Sequence, residues 1–310
     1  VIPESLEKLE IILDITHGIN FQTFMTQKAL FEIAQILAYF VDVKFRTLNS
    51  DPYSKEVEEL NVNEIEEINV RPHIVIYRYE NERKILSPSN LCESENEKEK
   101  IGRDLKCLNE FLNDEFYCFS SSFIFGLPLW VIYFLPKVDD MKEFLQKCFE
   151  KYVENIVVYK RNDTVEIRRK IELRPTIANV IKIYLVLLML NKIGISQKIE
   201  ILLEDIKILK QKIYEKAFPV ESNRIDREIS EISENREKMD DNYRVFSEIK
   251  GIKGKEKRST IDKRNFFAHA GFEYNSFETK LQNGKIFLKP NDSLIENIKG
   301  HLKGALPKGG

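Results

Sequence analysis

The segment RNFFAHAGFEYN, Arg264 to Asn275, sets an arginine, an asparagine and a histidine within one short apolar run. Histidine titrates near neutral pH and can take or give a proton. Arginine stays charged and grips phosphate oxygens with a planar fork of donors. Asparagine can orient an imidazole or a scissile group. Such a set fits cleavage of RNA without a metal, by attack of the 2′-hydroxyl on the adjacent phosphorus. That reaction needs a base, an acid for the departing 5′-oxygen and positive charge on the crowded phosphate. On a helix capped by Ser259 or Thr260 and ended by Gly271, Asn265 and His269 are i,i+4 neighbours. Arg264 and His269 lie five apart, about 140° around the axis. One straight helix does not join that pair; a relaxed helix end or a second copy would. Upstream, Lys253, Lys255, Lys257, Arg258 and Lys263 stand against Glu256 and Asp262 and could guide an RNA strand toward the site. The same spacing also fits a charged surface turn beside a helix whose histidine only packs or caps.

A second candidate is DITHGIN, Asp14 to Asn20, where an apolar strand-like run meets a helical pattern. Loop N–H groups and a helix dipole favour anions at that place in an α/β sheet. Thr16 and His17 add side-chain donors and Gly18 permits close backbone approach, while Asp14, late in the strand, suits fixing the loop. An ordinary structural turn with an exposed histidine fits the same residues.

Two resemblances bear on these segments. RNFFAHAGF is similar to the R-x-x-x-x-H motif of HEPN ribonucleases in the form carried by CRISPR-associated CARF–HEPN proteins, with Arg264, Asn265 and His269 at the matching positions and Ala270 and Gly271 continuing the pattern. DITHGIN resembles the D-x-T-H-G signature of the CARF domains of the same proteins, with Asn20 at the matching place, and NSDPYS (Asn49 to Ser54) resembles their loop after the next strand. The resemblance implies a helical HEPN domain that dimerises so that two motifs face one cleft, metal-independent cleavage of single-stranded RNA, and no cofactor. It implies a 2′,3′-cyclic phosphate and a 5′-hydroxyl as products, with His269 in proton transfer, Arg264 on the phosphorane and Asn265 positioning. It further implies cyclic oligoadenylate, cyclic tetra-adenylate in particular, as allosteric activator in type III CRISPR antiviral defence, bound by Asp14, Thr16, His17, Gly18 and Asn20. The protein would be a cytoplasmic homodimer or an oligomer of dimers. Thirteen residues precede Asp14, fewer than the family's strands and ligand loop occupy, so the resemblance implies an incomplete or reduced sensor. A non-catalytic nucleotide-sensing dimerisation module, and a ring nuclease cutting cyclic oligoadenylate near His17, are the rival readings.

The elements that must position these residues follow from patterning. LEIILDIT (9–16) reads as a buried strand, Leu30, Ile33, Leu37 and Phe40 place a helix over 27–40, and VDVKFRTL reads as the next strand, completing a βαβ unit. From about residue 99 helical patterns dominate. Ile225, Ile229, Ile232, Met239, Tyr243, Phe246 and Ile249 suggest one long amphipathic helix, and FETKLQNGKIFLK a hairpin around Asn283-Gly284. The fold class is therefore a Rossmann-like α/β portion over 1–70, a mostly helical connecting region over 71–220, and a HEPN region over 221–310 with a C-terminal hairpin. The LPKGG end is expected to fray.

Bulk composition excludes several alternatives. The 310 residues carry a formal charge of -2, so no bulk polycation coats nucleic acid. Cys92, Cys107, Cys118 and Cys148 form no C-x-x-C and read as buried free thiols, with no metal expected. The apolar runs 123–135 and 180–190 fall short of the ~20 residues of a membrane span and read as core. There is no G-x-x-x-x-G-K-[ST], no G-x-G-x-x-G and no paired-histidine zinc motif. His73 and His301 read as surface residues.

Overall fold

The structure, a computed structural model, describes residues 7–16, 20–51, 59–79, 84–252 and 260–309. Contacts group the chain into two compact units. Unit 1 holds residues 1–74 with 211–219, and unit 2 holds 75–210 with 220–310.

Unit 1 contains the βαβ arrangement. Strand β1 (Lys8–Asp14) runs parallel to β2 (Asp42–Ser50), with helix α1 (Asn20–Leu37) between them in sequence. Strand β3 (Val62–Val70) pairs antiparallel on the other edge of β2. The alternation in β2 buries Val43, Phe45 and Thr47, and the Phe31 ring of α1 meets Phe45 edge-on at 5.5 Å. The opposite face is ionic: Arg46 pairs with Glu10 and Glu64, and Lys44 with Glu67 at 2.8 Å. Within 211–219, the Phe218 ring packs 5.2 Å from that of Tyr39, and Lys216 Nζ lies 2.6 Å from Asp42.

Two expectations for this unit change. Helix α1 begins seven residues earlier than the 27–40 pattern, at Asn20, and ends at Leu37. Strand β1 is not buried. It sits at the sheet edge with alternate residues exposed, Ile12 at 51%. Its continuous apolar run would be covered on both faces in a parallel sheet flanked by helices, whereas the described sheet packs one face on α1. Phe21, Phe24 and Met25 of α1 are likewise more than half exposed.

Unit 2 is helical with small antiparallel sheets. Helix α2 (Asp114–Ile124) starts where the Asn113 side chain accepts from the Phe116 N–H. The short helix Pro128–Tyr133 follows, and the apolar run 123–135 is buried around Trp130, itself fully enclosed. Helix α3 (Val138–Glu154) leads to a hairpin of β4 (Ile156–Arg161) and β5 (Thr164–Arg169). Helix α4 (Thr176–Lys192), the other long apolar run, is closed by Gly194 at φ +81°. Among the described residues no helix is long and apolar enough to cross a membrane. Beyond β6 (Ile201–Leu202) and a π-helical turn over Lys210–Tyr214, helix α5 (Pro219–Glu234) buries Ile225, Ile229 and Ile232. Then come β7 (Arg244–Val245), α6 (Lys263–Ala268), β8 (Phe277–Gln282), β9 (Lys285–Pro290) and α7 (Ile295–Lys303). The sheet order is β6-β9-β8-β7. Asn283 and Gly284, at φ +51° and +73°, form the expected hairpin turn.

Four further expectations fail on this unit. The long 225–249 helix does not exist: α5 stops at Glu234, and an Asp240 carboxylate accepting from the Asn242 N–H stabilises a turn instead. Met239, Phe246 and Ile249 are nevertheless buried, so the periodicity came from separate elements around a shared core. The chain end is tied down, since the Arg78 N–H donates to Pro307 O at 2.8 Å and the Gly309 N–H to Arg78 O at 2.9 Å. Cys107 is exposed and Cys92 half-buried; only Cys118 and Cys148 are buried, and burial pushes both thiols up to about 12. His301 is half-buried, with Nε2 2.8 Å from Ile261 O, whereas His73 is exposed as expected.

Candidate active site

The R-N-x-x-x-H segment is a short helix with a built-in stop. Asp262, not Ser259 or Thr260, caps α6: its side chain accepts from the Asn265 N–H at 2.8 Å. An aspartate at that position also matches the positive end of the helix dipole. The helix ends at Ala268, so His269 is its C-terminal cap, with its N–H still bonded to Asn265 O at 3.0 Å.

Two consecutive left-handed residues then reverse the chain, Ala270 at φ +49° and Gly271 at φ +80°. Gly271 is required there for a second reason. A Cβ on it would stand 2.5 Å from Trp130 Cδ1. Its carbonyl accepts both the Trp130 indole N–H and the Ser276 hydroxyl, each at 2.9 Å. The buried face of α6 is Phe266, fully enclosed with its ring 5.6 Å from that of Trp130. Burying a ring of that size stabilises by about 2 kcal/mol or more. The apolar letters of RNFFAHAG thus form the mount, and the polar letters are what it carries.

Those polar side chains are available. Arg264 and Asn265 are exposed, and neither makes a side-chain hydrogen bond or ion pair among the described residues. The His269 side chain is 38% exposed, and its Nδ1 lies 2.9 Å from Glu228 Oε1. Glu228 comes from α5 and is 7% exposed, on the same face as Ile225, Ile229 and Ile232. Burial pushes its carboxyl above the ordinary range, against the opposing pull of the His269 hydrogen bond and charge. One turn on, Glu231 accepts from the Tyr274 hydroxyl at 3.2 Å and pairs with Lys250. The Lys250 ammonium sits 3.8 Å from the centroid of the Tyr274 ring, which is itself 5.6 Å from the His269 ring.

Glu228, Glu231, Lys250 and Tyr274 were not picked out from the sequence. The signal for Glu228 lay within the isoleucine pattern: at i+3 from Ile225 and i+4 before Ile232, it falls on the apolar stripe, where an acid needs a reason. Nothing in the linear order pairs it with a histidine forty-one positions later.

The other expected site residues divide by placement. Lys263 is exposed, with Nζ 3.2 Å from Gly304 O, while Lys253, Lys255, Lys257 and Arg258 lie outside the described residues. In unit 1, Asp14 Oδ1 accepts from the Thr16 N–H at 2.8 Å and Thr16 Oγ1 accepts from the Ser50 N–H at 2.9 Å. Both side chains hold the turn after β1. Asn20 opens α1; His17 and Gly18 lie outside the described residues. Among the described residues no three His, Cys, Asp or Glu side chains are gathered as metal ligands.

Residues 218–292 match the family model described as "CRISPR system endoribonuclease Csx1, HEPN domain", a range that contains Glu228 and the whole of α6. Residues 2–52 match "CRISPR system endoribonuclease Csx1, CARF domain". The two ends of the chain are thus similar to the two domains of CRISPR-associated CARF–HEPN proteins. The chain is 28% identical to a protein described as "CRISPR system endoribonuclease Csx1" from Methanocaldococcus jannaschii, over 319 aligned residues. The alignment covers 93% of this chain and 64% of that relative, so the chain spans somewhat less than two thirds of its length. The CARF portion is the α/β start and the HEPN portion the helical end, in the order the two motifs suggested.

Proposed function

We propose that this CARF–HEPN chain is an endoribonuclease that cleaves single-stranded RNA without a metal and is switched on by cyclic oligoadenylate during CRISPR antiviral defence. His269 moves the protons. As base it takes the proton of a ribose 2′-hydroxyl, and O2′ bonds to the neighbouring phosphorus. The P–O5′ bond breaks, and the departing O5′ takes a proton from an acid. The products are a 2′,3′-cyclic phosphate and a 5′-hydroxyl, and no water is consumed. Arg264 spreads its charge over the five-coordinate phosphorus, a fixed donor set where charge develops, and Asn265 orients the phosphate. A homodimer supplies a second His269, so that one imidazole acts as base and the other as acid.

Support comes chiefly from one observation: two polar side chains with no partner among the described residues share a short segment with a histidine that is braced by a buried acid. The similarity of residues 218–292 to a HEPN-domain model, a range that includes these residues, supports the same reading. Lys263, with Lys255, Lys257 and Arg258, would draw the strand in. Cyclic tetra-adenylate would bind at Asp14, Thr16, His17, Gly18 and Asn20, between β1 and α1 in sequence. Activation follows if the ligand prefers one arrangement of the dimer, since only differential affinity shifts an equilibrium.

The test is cleavage of an end-labelled single-stranded RNA in EDTA, with and without cyclic tetra-adenylate. The expected products carry 5′-hydroxyl ends, and His269→Ala lowers the rate about 10³-fold, in the range of acid–base catalysis. Undiminished cleavage by that variant would overturn the assignment.

A further inference from the structure

We propose that Glu228 is a positioning residue: its carboxylate fixes His269 as the Nδ1–H tautomer and so makes Nε2 the atom that exchanges protons. What Nε2 acts on rests on the ribonuclease reading above, but the tautomer itself does not.

An ionised carboxylate has only acceptors, so the hydrogen in the 2.9 Å contact between Glu228 Oε1 and His269 Nδ1 sits on nitrogen. Nε2 has no partner among the described residues. With the imidazole neutral, Nε2 carries a lone pair and is a base. With one more proton, Nε2–H is an acid. In both states Nδ1–H still donates to Glu228, so the ring changes role without changing pose. Around the carboxylate, His269 and Lys250 favour its charge, whereas burial and Glu231 oppose it. Glu231 lies on its own helix, Lys250 comes from the segment after β7, and His269 and Tyr274 come from the turn after α6. Lys250 is paired with Glu231, which offsets the second negative charge on that face of α5.

The location of Glu228 argues for function over packing. It is 7% exposed among isoleucines, where a leucine or glutamine would bury without the desolvation cost of a charge. A buried acid hydrogen-bonded to the inner nitrogen of a half-exposed histidine is the arrangement that holds an imidazole ready for proton transfer in other enzyme classes. Its enclosure among the packed side chains of α5 also limits its rotamers, which a positioning group requires.

The experiment uses the whole chain with 15N-labelled histidine, the His269 ring being assigned by its loss in His269→Ala. The wild-type ring is expected as the Nδ1–H tautomer, and Glu228→Gln is expected to give a mixture of tautomers. In parallel, Glu228→Gln is expected to lower kcat for RNA cleavage about 10²-fold or more with KM unchanged, to shift the pH profile, and to be partly rescued by Glu228→Asp. A wild-type Nε2–H tautomer overturns the inference, as does a Glu228→Gln protein with unaltered tautomer and pH profile. If Glu228→Gln fails to fold, the wild-type spectrum still decides. Absence of RNA cleavage by the wild type would count against the ribonuclease reading and leave the spectroscopic result standing.

Discussion

The two motif-bearing turns of this chain are built very differently. The turn at 269–271 is held from several directions: Phe266 and Trp130 pack beneath it, Trp130 and Ser276 donate to the Gly271 carbonyl, and Glu228 reaches His269 from α5. The ties described for the turn after β1 run to itself and to the neighbouring strand: Asp14 accepts from the Thr16 N–H, Thr16 accepts from the Ser50 N–H, and the Ile15 N–H donates to Leu48 O at 2.8 Å. Around it lie Ile12, Phe21 and Phe24, all more than half exposed. Chemistry that fails when atoms shift by an ångström needs the first kind of support. A loop that admits and releases a ligand is served by the second. Substitutions test this contrast.

The largest effect is expected at Gly271. Gly271→Ala forces a left-handed backbone on a residue with a Cβ and drives that Cβ to 2.5 Å from Trp130. A loss of about 3 kcal/mol or more in unfolding free energy is expected, measured by denaturant titration, with RNA cleavage falling alongside. Next is Thr16→Val, which keeps the shape of the side chain and removes the acceptor for the Ser50 N–H. About 1 kcal/mol of loop stability should be lost. Cyclic tetra-adenylate affinity by calorimetry should weaken while the unliganded cleavage rate stays put. Equal damage to both would erase the contrast.

A smaller effect concerns pH. Burial raises the Glu228 carboxyl above its unfolded value. Its contribution is therefore fully present below the unfolded pKa and lost as pH rises through the folded one. Glu228→Gln lacks that loss, so its melting temperature relative to wild type should climb from pH 4 to pH 8. A flat difference would show that the buried carboxyl titrates as it does unfolded. The smallest effect is expected at Ala270. Ala270→Gly relieves the left-handed strain and removes one buried methyl, two changes of about 1 kcal/mol and opposite sign. Near-neutral stability and unchanged cleavage are expected, in contrast to its neighbour.

Legibility followed the range of the interactions. The βαβ unit and the Asn283-Gly284 hairpin were readable because period and turn chemistry are local. The R-N-x-x-x-H and D-x-T-H-G stretches were readable because each is contiguous. What escaped depended on distant segments. Asp262 took the cap that Ser259 and Thr260 also fit, with Ile261 beside it buried and its N–H bonded to Asn297. The isoleucine rhythm of α5 ran on past Glu234 into elements that merely share its core. Glu228 was hidden for the opposite reason, since it looked like one more charge on a charged helix.

The assignment of residues 211–219 to the first unit has a practical corollary. No single scission yields the amino-terminal portion whole. A fragment ending at Ile74 would forfeit the Phe218 ring that leans on Tyr39 and the Lys216 ammonium that meets Asp42. The stretch that returns to complete that portion runs straight on, at Pro219, into the helix bearing Glu228. The two units share a thread, and severing it at one knot frees neither.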